Sequence, residues 1–354
     1  MLEFSCNPAR FTVPVVLTLC LAFLSAGSLA RGQDADIFAL QRRVVDLFEQ
    51  NHTAVVRVMA AVEEKDETGE THVARRVGTG FFISRDGHVV TNANITHQAI
   101  RTWVEHDGVE YAADLIGLDL DTNFALLKLM SLPPSFTHLS LTGNPSLPPV
   151  GSFVIAMGCP LEFSPSPTLG SVTGHESSFS QRVFPVSYAR INIPAHPGEG
   201  GSPVIDLSGR LVGMMVASLP EVNSSYVLPA KAMLRVRDDL LFSGKVEYGW
   251  VGFELEERRD RHLGRHIVVD QVFEGTPAEK AGILPGDRLV RMGDTPVSRA
   301  DDVRNANFHH RVGDYMAIRV MREGEPHDFS VRLVSRPDPE KARPSETAAL
   351  DESS

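Results

Sequence analysis

The sequence predicts a mainly β protein: closed or sandwiched antiparallel strands, followed by a smaller α+β domain. Short β-branched runs separated by turn residues recur from Ala54 to Ala217 with little helix between them. Asp86-Gly87 and Asp107-Gly108 sit between such runs as hairpin signals. Beyond Gly249, strand and helix patterns alternate.

Ahead of the strands, Ile37, Leu40, Val44, Val45, Leu47 and Phe48 recur at helical spacing, so a helix is expected over 34–50, capped by Asp34 or Asp36. Strands are expected at Gly80–Ile83, Val89–Asn92, Trp103–Glu105 and Phe124–Leu129. A second group follows at Phe153–Met157, Val183–Tyr188, Val204–Asp206 and Leu211–Ala217. The Pro- and Ser-rich stretch from Pro133 to Pro149 joins the two groups. A helix over Pro229–Phe242 stops near Gly244. The α+β part reads as strands at Gly249–Glu254 and Ile267–Val272, a helix at Pro277–Ala281 and a strand at Arg288–Met292. A helix near Asp301–His310 and strands at Met316–Met321 and Asp328–Leu333 complete it. From Pro337 the chain has almost no large apolar residue, the composition of a disordered tail.

A chain of 354 residues has room for two or three domains and a sizeable core. Its net charge of −11 argues against nucleic acid or an anionic membrane surface as the main partner. Arg10, the apolar run Val13–Ala26 and Ser28-Leu29-Ala30 compose a signal peptide cut after Ala30. The product is exported, to the periplasm in a Gram-negative source. A retained signal anchor is the alternative, although the run falls short of the ~20 residues of a spanning helix. Cys6 and Cys20 leave with the signal, so Cys159 stands alone as a buried structural thiol, without a disulfide or a cysteine-based metal cluster. The tight histidine pair His309-His310 does not share a helix face, and no phosphate or dinucleotide loop is present. No metal or cofactor is expected.

The chemistry centres on Ala195-His196-Pro197-Gly198-Glu199-Gly200-Gly201-Ser202-Pro203, a glycine-dense loop running into Val204-Ile205-Asp206. Three further stretches accompany it: Gly78-Thr79-Gly80-Phe81-Phe82-Ile83, Thr91-Asn92-Ala93-Asn94-Ile95, and Asp121-Thr122-Asn123-Phe124-Ala125-Leu126-Leu127-Lys128. In this order they resemble the HtrA (Deg) family of exported trypsin-like serine proteases. The family texts are Gly-Asn-Ser-Gly-Gly-Pro, Gly-Ser-Gly-Phe, Thr-Asn-x-His-Val and Thr-Asp-Leu-Ala-Val-Leu-Lys. The resemblance continues through Tyr226-Val227-Leu228-Pro229 and covers roughly Phe38 to Leu333. It implies two antiparallel β-barrels with the active site between them, then a PDZ domain. Oligomers, often trimers, form in this family through the N-terminal part of the protease domain. The domains expected are a signal peptide (1–30), a helical segment (31–52), the protease-fold domain (53–243), the PDZ domain (244–335) and the tail (336–354).

Carried over position by position, the family's serine falls on Gly200, its histidine on Asn94 and its aspartate on Asn123. A serine protease needs a hydroxyl, an imidazole to take its proton and a carboxylate to stabilise the imidazolium. Glycine has nothing to attack with, and an amide lacks both basicity and charge. The resemblance therefore implies an inactive, pseudoprotease form. A displaced set of Ser202, His97 and Asp121 is the enzyme alternative. It requires all three to move in step to recover contacts of ~3 Å. Gly198 and Gly200 still carry the amides of an oxyanion hole. Gly-Glu-Gly-Gly is also more flexible than Gly-Asn-Ser-Gly, so the sequence leaves open whether that hole is preformed.

Trp250-Val251-Gly252-Phe253 resembles the carboxylate-binding loop of a PDZ domain, and the strand from Phe253 to Glu256 offers an edge for β-augmentation. Val303, Ala306 and His310 are expected to line the helical wall of that groove. The resulting expectation is an exported pseudoprotease that binds unfolded or C-terminal protein segments as scaffold, chaperone or regulator. It would be homo-oligomeric or mixed with active relatives. One alternative is an active serine endopeptidase of envelope protein quality control. Another is a structural envelope protein whose cleft is unused, which a closed polar cleft would favour. An open cleft with inward-pointing amides favours peptide binding.

Overall fold

The structure, a computed structural model, describes residues 37–66, 69–142, 146–161, 163–179 and 182–335. The expected signal peptide, the expected caps Asp34 and Asp36, and the expected tail lie outside the described residues. Residues 37–51 form helix α1.

Six strands close the first barrel: β1 (Val55–Lys65), β2 (Thr71–Phe82), β3 (His88–Asn92), β4 (Ala99–His106), β5 (Val109–Asp119) and β6 (Phe124–Leu129), in the order β1-β2-β3-β6-β5-β4. A one-turn helix, α2 (Ala93–Thr96), leaves the end of β3. Alternation along β1 sends Val56, Val58 and Ala60 inward, where they share a core with Phe82, Val104 and Leu127. The second barrel repeats the plan with β7 (Phe153–Gly158), β8 (Ser166–Phe179), β9 (Arg182–Ile191), β10 (Pro203–Asp206), β11 (Leu211–Leu219) and β12 (Ser224–Pro229), closed as β10-β11-β12-β9-β8-β7. Its core joins Val154, Ile191, Val204, Val212 and Val227. Closure removes the sheet edges. The expected all-β architecture is thus a pair of closed barrels.

Helix α3 (Ala230–Ser243) follows and ends at Gly244, whose φ of +71° puts it in the left-handed region. Next come β13 (Gly249–Trp250), β14 (Phe253–Asp260), β15 (Gly264–Val272), α4 (Pro277–Ala281), β16 (Arg288–Met292), β17 (Thr295–Pro296), α5 (Ala300–Phe308), β18 (Tyr315–Arg322), β19 (Glu325–Arg332) and β20 (Val334–Ser335). The main sheet runs β14-β15-β16-β18-β19, which makes β14 an edge strand. The single strand expected at Gly249–Glu254 is broken at Val251-Gly252. Gly252 has φ +100°, which no strand ladder accommodates.

β5, β8, β12 and the short β17 and β20 have no counterpart among the expected strands. β5 and β8 are long, but β8 is rich in Ser, Gly, Pro and Thr. Barrel closure gives each a partner on both sides, which overrides weak strand propensity.

The α+β part rests on the second barrel through α5. Asn305 accepts from the Ser187 N–H at 2.7 Å and donates to the Ser187 hydroxyl at 2.9 Å. Asp301 and Arg304 both meet the Ser177 hydroxyl. Between the barrels and the sheet, Tyr248 donates to the Asp119 carboxylate at 2.6 Å, and the Arg235 guanidinium stacks on the rings of Tyr248 and Phe308.

Candidate functional site

Asn94 sits exposed on α2, and Asn123 is half-buried in the β5–β6 turn. The turn brings them together. Asn123 Oδ1 accepts the Asn94 N–H at 2.9 Å, and the Asn123 carbonyl accepts the Ala93 N–H at 3.1 Å. Asn123 has φ +56°, a conformation asparagine tolerates better than most residues. Its Nδ2 then donates across to the Val216 carbonyl on β11, at 2.8 Å. One amide therefore ties the first barrel to the second.

The glycine loop is held carbonyl by carbonyl. Pro197 O accepts from the Leu161 N–H at 2.8 Å, Gly198 O from the Thr79 hydroxyl at 2.7 Å, and Gly200 O from the Thr79 N–H at 2.9 Å. Glu199 O accepts from both the N–H and the hydroxyl of Ser202, at 3.1 and 2.6 Å. The Glu199 N–H closes a tight turn onto His196 O at 3.0 Å, with Gly198 at φ +93°. Pro at the second place and glycine at the third are what a type II turn asks for. A Cβ on Gly198 would also lie 2.6 Å from Cys159 O. In a trans peptide the N–H points opposite to its carbonyl. Anchoring Pro197 O and Glu199 O therefore turns the Gly198 and Gly200 N–H groups away from the body of the loop. Among the described residues neither N–H has a backbone partner. The flexibility that four residues with three glycines suggest is removed by these anchors.

Thr79 organises the loop from the other barrel. It is fully buried, donates through both N–H and hydroxyl, and accepts the Cys159 N–H at 2.9 Å. Asn92, oriented to satisfy its neighbours, donates to Met215 O at 3.0 Å and accepts from the Gly201 N–H at 3.2 Å. Neither role is visible locally in sequence, because each spans the two barrels. Burial pushes the Cys159 thiol up to about 11, as a structural thiol requires.

The displaced set is not assembled around a nucleophile. Ser202 is 1% exposed and its hydroxyl is spent on Glu199 O, while Asp121 is exposed and His97 half-buried on the first barrel. A Cβ built on Gly200 would lie 2.9 Å from the amide end of the buried Asn92 side chain and meet nothing else within 4 Å.

In the α+β part, the Val251 carbonyl accepts from the Ala278 N–H at 3.0 Å, and Gly252 O accepts from the Phe273 N–H at 3.0 Å and the Thr276 hydroxyl at 3.2 Å. The same trans-peptide argument turns the Gly252 and Phe253 N–H groups away from α4 and β15. Trp250 packs its ring on Phe273, and the Val251 side chain is core, so only the backbone of Val251 is available to a ligand. Val303 and Ala306 belong to the apolar cluster that Phe253 and Leu255 adjoin. His310 departs from expectation. Its Nδ1 bonds Ala306 O at 2.8 Å, a Cβ on Gly293 would lie 3.1 Å from its ring, and it lines a crevice of about 500 Å³ with Asp294, Lys231 and His309. Helix α5 ends at Phe308, so His310 leaves the wall facing β14 and lies under the β16–β17 turn. Among the described residues no cluster of His, Cys, Asp and Glu is arranged to hold a metal.

Residues 78–214 match the trypsin-like peptidase domain family and residues 249–333 the PDZ domain family. The chain is 28% identical over 276 residues to a probable periplasmic serine endoprotease DegP-like of Hahella chejuensis, covering 75% of this chain and 58% of that protein. It is 28% identical over 329 residues to a DegP-like protein of the same description from Pseudomonas putida, covering 88% and 65%. The chain thus spans less than two thirds of the length of these relatives. Among solved structures, the HtrA-type protease AlgW with tripeptide superposes with a TM-score of 0.68 at 23% identity, covering 84% of this chain and 98% of that one. AlgW with decapeptide gives 0.64 at 22%, covering 84% and 99%.

The fold is therefore a trypsin-like double barrel followed by a PDZ domain. The two matched domains and the DegP-like relatives agree with the HtrA resemblance in the sequence, and the likeness to AlgW bears on the fold alone. Among the described residues no helix is long and apolar enough to cross a membrane.

Proposed function

We propose that this chain is an exported HtrA-like pseudoprotease that binds unfolded or C-terminal protein segments without cutting them. The observation that carries the reading is the chemistry at Asn94, Asn123 and Gly200: two amides and no side chain. Neither amide can take a proton at neutral pH. Without a triad, an intact oxyanion hole retains only ~10³–10⁴-fold catalysis over water, negligible for a peptide bond.

On this reading residues 1–30 direct export, 53–243 form the degenerate protease-fold domain and 244–335 the PDZ domain. Gly198 and Gly200 supply amides in the cleft. Trp250, Val251, Gly252 and Phe253 receive a chain terminus beside β14, with Val303 and Ala306 behind them. Scaffold, chaperone or regulator is the role, in a homo-oligomer or in mixed assemblies with active relatives.

The relatives' names favour a second reading, a serine endopeptidase of the envelope. It would need Ser202 to leave Glu199 O and meet His97. Incubating protein from Arg31 onward with casein, followed by mass spectrometry, separates the two. The expected result is no cleavage above a mock purification. Cleavage abolished by Ser202→Ala would establish the endopeptidase. A companion carrying Asn94→His, Asn123→Asp and Gly200→Ser tests the three positions, and cleavage by it alone supports their assignment.

A further inference from the structure

We propose that the degenerate cleft is a receptor for the free carboxylate of a peptide C-terminus, held by the Gly198 and Gly200 N–H groups and the Asn94 side chain. The inference rests on the non-proteolytic reading above and names the ligand of that site.

The donors are fixed in advance. Each carbonyl from Pro197 to Gly200 is hydrogen-bonded, so the loop cannot turn an acceptor into the cleft without losing an anchor. Two backbone amides left without a backbone partner suit an oxygen that carries negative charge. A carboxylate brings a second oxygen, which needs room beside the first. A serine at 200 would fill that room with its hydroxyl. Glycine leaves that hydroxyl out, and the nearest group to the missing Cβ is the amide end of Asn92, at 2.9 Å.

Charge points the same way. Position 123 carries a neutral amide, so the side chain bonded to the Asn94 N–H is uncharged, and Asp121 of the same turn is exposed to solvent. Asp119 is buried and occupied by Thr122 and Tyr248. The Glu199 carboxylate is buried within its own loop, accepting the His196 N–H at 2.8 Å. Asn94 is exposed on α2, its N–H used by Asn123 and its carbonyl by Arg76, which leaves its side-chain amide to serve as a third donor. Hydrogen bonds to an ionised acceptor are roughly twice as strong as neutral ones, so a terminal carboxylate outcompetes an internal carbonyl here.

The test is photo-crosslinking on the full chain. A decapeptide carrying a benzophenone residue near its C-terminus is used as free acid and as C-terminal amide, and labelled positions are mapped by mass spectrometry. The acid is expected to label residues 196–202 as well as the segment near Phe253, and the amide to lose the 196–202 label by about tenfold. Asn94→Asp changes an exposed residue, so folding is preserved. It should reduce acid labelling at 196–202 and leave labelling near Phe253 unchanged. Gly200→Ser should do the same by filling the second oxygen's place. Equal labelling of 196–202 by acid and amide overturns the carboxylate receptor while leaving the peptide-binding reading intact. Labelling near Phe253 alone overturns the receptor and confines binding to the groove. Cleavage of the peptide overturns the non-proteolytic reading itself.

Discussion

Asn123 holds Asn94 in place by its Oδ1 and, with the same amide, donates to the Val216 carbonyl of the opposite barrel. A carboxylate could perform the first task only. Asn123→Asp would set a charged acceptor against the Val216 carbonyl, 2.8 Å from the present Nδ2. The expected cost is about 1–3 kcal/mol, measured by urea denaturation.

His309 gives a pH dependence. Burial, then Lys231 and Arg235, pushes its imidazole down to about 4 from an ordinary 6.5. The unfolded chain therefore binds its proton first as pH falls. Stability from this group is complete above about pH 6.5 and is lost progressively toward pH 4. The loss amounts to at most about 3 kcal/mol. Thermal melts between pH 7 and 4 should show it, and His309→Gln should flatten that part of the profile.

Asn305 and Ser187 form the polar seat of α5 on β9. A double-mutant cycle with Asn305→Ala and Ser187→Ala should give a coupling of about 0.5–1.5 kcal/mol. The coupling reports the side-chain pair alone, because the Ser187 N–H loses Asn305 Oδ1 in both backgrounds. Hydrogen exchange in α5 should rise in the Asn305 variant.

Gly252→Ala tests the groove. The new Cβ would fall 2.2 Å from the Thr276 Cβ, at a φ that alanine avoids. Binding of free-acid peptides near Phe253 should drop at least tenfold. The melting profile of the barrels should stay unchanged.

Much of this was legible in the chain. β6, α4 and β16 lie where their residues place them, since each is bounded by its own turn chemistry. Asn94, Asn123 and Gly200 are singled out by the sequence resemblance alone. What did not follow is what crosses between barrels: Thr79 bonding Gly198 and Gly200, Leu161 pinning Pro197, and Asn123 reaching Val216. Those contacts depend on barrel closure, and nothing in a short window encodes them. His310 failed for a related reason. Helical spacing was extended two residues past the point where α5 ends.

Gly200 also bears on how such a protein is found. Fluorophosphonate reagents, used to census serine hydrolases in whole cells, report by forming a bond to an accessible seryl oxygen. A cleft with glycine at its centre and Ser202 sealed at 1% exposure gives them nothing to phosphonylate. The fold would be invisible to that census, and affinity capture would have to replace labelling.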